Sequence, residues 1–181
     1  FETQFVGYDT LTAHSQVLAL IANGSEVETV GPGEQALAVL EQSPFYAESG
    51  GQVGDWGVLN ATDLLVEVQD TVKLGSAHVH RIKVLSGELR VSDSVDAEVS
   101  SDARQATALN HSATHLLHAA LRSILGTHVN QRGSRVQPER LRFDFSHFEA
   151  VTAAEIRRIE TLVNNQIRNN SVITTDIMKI E

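Results

Sequence analysis

Short apolar runs separated by turn residues make up the chain as far as about Ser100. The runs are QVLALIANG, QALAVLEQS, LLVEVQDTV, HVHRIKVLSG and SVDAEVS. They are rich in Val, Leu and Ile, and Gly, Asn or Asp ends or interrupts them, which is typical of β-strands. Roughly six such strands in succession predict a small antiparallel barrel or sandwich.

The period of the apolar positions changes after Ser100. Apolar side chains then recur at steps of three and four residues, at Ala106, Leu109, Ala113, Leu116, Ala120 and Ile124. This spacing predicts an amphipathic helix over residues 102–125. Ser101 or Asp102 can cap its start, and Gly126 stands where a glycine commonly ends a helix.

The remaining residues predict an α+β unit, so we place a domain boundary near residue 100. THVNQRGSRV and RLRFDFSH favour two strands joined by a turn at Gln137 and Pro138, and SVITTDIMKIE begins like another strand. Thr152 and Glu155 have the spacing of a capping box at the start of a second helix. That helix is expected to turn five apolar side chains inward: Ile156, Ile159, Leu162, Val163 and Ile167.

The composition narrows the possible functions of this 181-residue chain. It has no long apolar run, so we expect no membrane partner, and we expect a cytoplasmic protein. It starts without Met, so we expect a piece of a longer protein. Cys is absent, so any metal bound by this chain must use His, Asp or Glu. A net charge of −9 argues against a general nucleic-acid binder with a basic surface.

The most distinctive stretch is NHSATHLLH, which predicts one helix face that carries His111, His115 and His118. His111 and His115 have the spacing of two metal ligands, whereas zinc takes four ligands, or three and a water. Metalloproteases place Glu directly after the first His; Ser112 stands there, so that class is excluded. We expect His118 to be a hydrogen-bonded residue beneath the pocket. A metallohydrolase with a three-histidine site is the alternative.

Two long segments resemble alanyl-tRNA synthetases. NHSATHLLHAALRSILGTHVNQRGSRVQPERLRFDFSH resembles the start of their editing domain, and SPFYAESGGQVGDWG resembles the β-barrel that precedes it. The resemblance implies an α+β fold. Residues 1–100 would form a small antiparallel β-barrel with a GGQ motif. Residues 101–181 would begin an α+β editing domain of the type shared with threonyl-tRNA synthetases.

The resemblance also implies a reaction, its cofactors and its partners. The parent enzymes attach alanine to tRNA(Ala) with ATP, and their editing domain hydrolyses tRNA(Ala) mischarged with Ser or Gly. ATP would serve a catalytic domain whose motifs are absent here. Zinc would be held by the two histidines of HxxxH, which His111 and His115 match, and by a later Cys-x-x-x-His pair. That second pair is missing from this sequence, so we expect little or no activity from this chain without the remainder of the synthetase.

Further candidate catalytic residues follow from the resemblance. Gln131 matches a polar residue of the editing pocket, and Gly50, Gly51 and Gln52 match the glycine-rich motif that the barrel presents to it. Ser43 stands where many relatives have Thr before Pro-Phe-Tyr.

The arginines of the α+β unit form a local basic patch on an acidic chain: Arg132, Arg135, Arg140 and Arg142. Arg132 and Arg135 are candidate contacts for tRNA phosphates. Two other hypotheses remain open: a truncated stand-alone editing deacylase, and a non-catalytic tRNA-binding module.

Overall fold

The computed structural model describes residues 1–172 and residue 174; the strand predicted from SVITTDIMKIE lies for the most part outside the described residues. Two helices are described, α1 (Ser101–Leu125) and α2 (Ala153–Asn169). The described strands are β1 (Gln4–Phe5), β2 (Thr12–Ala22), β3 (Ser25–Val27), β4 (Thr29–Val30), β5 (Gln35–Leu40), β6 (Gln42–Ser43), β7 (Gly57–Ala61), β8 (Leu64–Leu74), β9 (Ala77–Ser86), β10 (Leu89–Arg90), β11 (Ser94–Val99), β12 (Gln131–Val136) and β13 (Leu141–Phe145).

Six antiparallel strands close into a barrel. They run in the order β11-β7-β8-β9-β5-β2, and β11 pairs with β2 to complete the ring. The five apolar runs named from the sequence all form strands, as β2, β5, β8, β9 and β11, and β7 is the sixth strand of the barrel. The prediction of an α+β chain that begins with an antiparallel barrel is confirmed, and the sandwich is excluded, because closure removes both sheet edges.

The inside of the barrel is filled by side chains from every second residue of its strands. β11 alternates strictly, with Val95, Ala97 and Val99 buried. These side chains join a core that includes Leu59 and Ile82, both with no exposed surface. The side-chain period of a strand therefore explains which residues of each run fill the barrel.

Helix α1 begins at Ser101, with Ser100 as its N-cap, and no side chain caps its free N–H groups. The predicted cap at Ser101 or Asp102 is therefore wrong, because both residues already lie inside the helix. Gly126 does end the helix, and its N–H donates to the carbonyl of Arg122 at 3.1 Å. No helix within the described ranges is long and apolar enough to cross a membrane.

The α+β unit has its own small core. Strands β12 and β13 pair as a hairpin, and Ala120, Leu121, Val129 and Ile159 are buried between the helices and this hairpin. The capping box is confirmed: the Thr152 hydroxyl accepts from the Glu155 N–H, and the Glu155 carboxylate accepts from the Thr152 N–H.

Three apolar positions do not follow the helical pattern. Leu109 of α1 is 61% exposed, and Ile156 and Ile167 of α2 are 45% and 50% exposed. The predicted inward position of Ile156 and Ile167 is wrong, because the described hairpin and α1 cover only the middle of α2, around Ile159.

An ion pair joins the first turn of α1 to the barrel. The Arg104 guanidinium contacts both carboxylate oxygens of Asp55, and it donates to the carbonyls of Gly7 at 2.7 Å and Pro44 at 2.9 Å. The side chains are only 17% and 6% exposed. Asp55 also accepts a hydrogen bond from the Tyr46 N–H at 2.8 Å, so both oxygens of its buried carboxylate have donors. This network positions the histidine helix on the barrel.

Candidate functional site

The GGQ motif lies in a loop that docks on strand β12. The Val136 N–H donates to the Gly51 carbonyl at 2.7 Å, and the Val53 N–H donates to the Val136 carbonyl at 3.1 Å. Gly51 has a φ of +86°, and a Cβ there would lie 2.5 Å from the Ser134 carbonyl oxygen. Both the backbone angle and the close approach require glycine at this position.

Gln52 connects this loop to the histidine helix. Its side-chain carbonyl oxygen lies 2.6 Å from Nδ1 of His111. Since an amide oxygen only accepts, Nδ1 of His111 carries the proton and Nε2 keeps its lone pair. Burial, and secondarily the nearby His115, lower the pKa of His111, which favours the neutral ring. A neutral imidazole with one nitrogen held by an amide is the form that binds a metal.

His111 and His115 meet as the sequence predicts. Their rings are stacked, with centroids 5.1 Å apart. His111 is partly buried, and His115 is exposed. The donor set fits half of a zinc site, because two imidazoles are available but no group of three His, Cys, Asp or Glu able to hold a metal occurs among the described residues.

His118 does not complete the site. The hypothesis of a three-histidine centre is wrong for the described part of the chain, since no such cluster forms there. The expectation that His118 is hydrogen-bonded is also wrong at Nε2, which is buried without a partner. Its ring instead packs against Phe143, with centroids 5.2 Å apart.

Gln131 lies beside the same loop. Its side-chain amide donates to the Ser134 hydroxyl at 3.2 Å, and that hydroxyl lies 3.5 Å from the Gly50 carbonyl. A register shift in β12 between Gln131 and Gly133 interrupts the ladder here, as a β-bulge does. Ser134, which the sequence did not single out, therefore connects Gln131 to Gly50.

Ser43 is not part of this surface. It has no exposed area, its hydroxyl bonds Nε2 of His80 at 2.8 Å, and it accepts from the Phe45 N–H at 3.1 Å. The predicted catalytic role of Ser43 is therefore not supported by its position. The hydroxyl instead satisfies a buried imidazole within the barrel.

Arg132 and Arg135 are both exposed on β12, as contacts to phosphate require. Arg135 lines a cavity of about 370 Å³ between the barrel and the hairpin, together with Trp56 and Glu48. Neither His111 nor His115 lines that cavity.

Comparison with known proteins gives the family. The family model of the tRNA synthetases class II (A) matches residues 1–103, which is more than half of the chain. The chain belongs to this family. The chain is also 51% identical over 179 residues to an alanine–tRNA ligase from Pseudomonas entomophila (strain L48). The resemblance to alanyl-tRNA synthetases is thereby confirmed.

The match to the ligase is uneven in its coverage. The match covers 99% of this chain but only 20% of the ligase. The chain therefore spans about a fifth of the length of this relative. The GGQ loop falls within residues 1–103, whereas His111 and His115 lie beyond the family model and within the ligase match.

Proposed function

We propose that this chain is the editing region of an alanine–tRNA ligase, which attaches alanine to tRNA(Ala) with ATP in another domain. The editing region hydrolyses the ester that joins Ser or Gly to tRNA(Ala). The observation that supports this most strongly is the bond between Gln52 and His111. It joins the GGQ loop of the barrel to the HxxxH helix, and Gln131 of β12 is linked to the same loop through Ser134.

Selectivity gives the physical reason for such a site. A pocket built for alanine rejects glycine weakly, because one missing methyl group changes binding by about 1–3 kcal/mol. A second site that hydrogen-bonds the hydroxyl of serine rejects alanine, whose methyl would leave buried polar groups unpaired. The Gln52 side chain, which bonds His111, provides a polar group at the histidines. The side chains of Gln131 and Ser134, which bond each other beside Gly50, provide further polar groups at the GGQ loop.

Zinc is the cofactor that we propose for this reaction. Nε2 of His111 and the imidazole of His115 would hold it, with further ligands supplied from outside this sequence. The ion, when bound, polarises the ester carbonyl or activates water. Gln52 keeps His111 in the ligating tautomer, and Gln131 is placed to orient the substrate. Arg132 and Arg135 are the proposed contacts to the tRNA backbone.

Hydrolysis of mischarged tRNA tests the proposal. The full-length ligase that contains this chain should deacylate seryl-tRNA(Ala), and replacing both His111 and His115 by Ala should reduce the rate by at least about 10²-fold, as for loss of a catalytic metal. The matched control is His14→Ala, because the His14 side chain is exposed on the barrel and its ring bonds only Asp96 among the described residues. An unchanged rate in the double variant would refute the proposal. Binding of tRNA without hydrolysis would favour the non-catalytic module.

Gln52→Ala should weaken zinc binding by about 10- to 100-fold, because the variant no longer fixes the tautomer of His111. Competition with a chromophoric chelator measures the zinc affinity directly, without an activity assay. Gln69→Ala is the matched control, since Gln69 is exposed and its amide bonds Glu67 rather than either histidine. Equal zinc affinity in the wild type and the Gln52 variant would contradict the role given to Gln52.

A further inference from the structure

A partly exposed aromatic cluster lies beside the GGQ loop; it consists of the half-buried Phe5 and Tyr46 and the exposed Tyr8. Tyr8 contacts Phe5 edge to face, with ring centroids 4.9 Å apart, and Phe5 meets Tyr46 at 6.2 Å. Tyr8 is 84% exposed. An aromatic ring that presents this much apolar surface to water is available for a partner.

The aromatic cluster is continuous with the candidate site. The Tyr46 hydroxyl donates to the carbonyl of Ser49 at 3.3 Å, and Ser49 pairs with Gln52 across the tight GGQ loop. The Tyr46 ring therefore contacts Ser49, the residue next to Gly50, and Phe5 connects the Tyr46 ring to the Tyr8 ring.

The segment that carries the cluster is firmly held. The N–H groups of Asp9 and Thr10 both donate to the Val6 carbonyl, so Tyr8 lies within a tight turn. Arg104 donates to the Gly7 carbonyl at 2.7 Å, and Asp55 accepts from the Tyr46 N–H at 2.8 Å. Both tyrosines are thus fixed by the ion pair that also positions the histidine helix. A partner that stacks on them pays little ordering entropy.

The chemistry of the proposed substrate identifies the partner. The ester to be hydrolysed lies at the end of a single strand, whose unpaired bases expose flat faces. Such bases stack on aromatic side chains irrespective of their sequence. Asp9, which follows Tyr8, and Glu48, two residues after Tyr46, are acidic and exposed. The Arg104 guanidinium is paired with the buried Asp55 carboxylate. This surface therefore offers ring faces rather than phosphate contacts.

We propose that the aromatic cluster is a stacking site for the bases of the single-stranded 3′ end of the tRNA, with Tyr8 as the outer contact. This inference rests on the proposed function. In this arrangement the barrel positions the 3′ end of the RNA, and the histidine helix acts on the ester.

Binding of a short single-stranded RNA with the sequence of the tRNA 3′ end tests this inference on the 181-residue chain. The Kd is measured by NMR titration for the wild type and for Tyr8→Ala, Tyr8→Phe and Phe148→Ala. Loss of one stacking contact should raise the Kd roughly 5- to 100-fold in Tyr8→Ala. Tyr8→Phe keeps the ring and should bind like the wild type. Phe148 is the matched control, because it is 86% exposed and stacks on His128.

The outcomes separate this inference from the proposed function. If Tyr8→Ala binds the RNA as the wild type does, or if Phe148→Ala loses as much affinity, the stacking site is refuted. Hydrolysis that depends on His111 and His115 would still stand in that case. Conversely, RNA binding that depends on Tyr8, in a ligase that does not hydrolyse seryl-tRNA(Ala), would retain the stacking site and refute the editing function.

Discussion

Replacing Arg104 by Ala should lower the free energy of unfolding by about 3–5 kcal/mol, the usual effect of removing one partner from a buried ion pair. The variant leaves the Asp55 carboxylate buried without its cationic partner. The backbone N–H of Tyr46 still donates a hydrogen bond to it. It also removes the donors to the Gly7 and Pro44 carbonyls. Urea denaturation of the 181-residue chain at neutral pH measures the change.

An exposed ion pair provides the control for Arg104. Arg90 pairs with Glu88 at 2.7 Å, but both side chains are about half exposed or more. Solvent screens such a pair, so Arg90→Ala should lower the free energy of unfolding far less than Arg104→Ala does. If the Arg104 and Arg90 variants lost similar stability, the ion pair would not be what holds α1 on the barrel.

Acidification from pH 6.5 to pH 4 should cost the native state up to about 3 kcal/mol through His80 alone. Burial lowers the pKa of His80 to about 4, from an ordinary value of 6.5. Its Nδ1–H donates to the Ala38 carbonyl at 3.0 Å, and Nε2 accepts from the Ser43 hydroxyl at 2.8 Å. In the neutral ring both nitrogens therefore have partners, and burial disfavours the charged ring.

The sign of the effect follows from which state binds the proton. Above pH 6.5 the ring is neutral in both the folded and unfolded chain, so His80 adds no pH dependence. Between pH 6.5 and 4 only the unfolded chain binds the proton, and stability falls as the pH falls. Below pH 4 both states bind it and the loss levels off.

The variant His80→Gln isolates this contribution, because glutamine does not titrate. Unfolding free energies of the variant and the wild type are compared at pH 7.5 and at pH 4. The variant should be less stable than the wild type at the higher pH and should lose less stability on acidification. Equal losses in the two proteins would show that His80 is not the group responsible.

Local patterns explain the elements that were predicted well. Strand β11 alternates at every position, so its inward residues follow from the period of a β-strand. The capping box at Thr152 and Glu155 is formed within four consecutive residues. The spacing of His111 and His115 fixes their shared face because both lie on one regular helix.

The errors arose where a pattern depends on what covers it. Helical spacing marked Leu109 and Ile167 as apolar positions, but a helix period does not reveal how far the neighbouring elements extend. Strand β7 was not predicted, because its short sequence GVLNA has only two large apolar residues. Ser43 was placed in the site by its neighbours in sequence, whereas the barrel turns its hydroxyl toward His80.

The sequence by itself determined five strands of the barrel, the two helices, the family resemblance and the two histidines, because each depends on a periodicity or a contiguous motif. Only the tertiary structure decided how these parts form a site. The Gln52–His111 bond joins residues 59 positions apart, and the Arg104–Asp55 pair joins residues 49 positions apart. No sequence period connects such positions; closure of the barrel and docking of α1 bring them together.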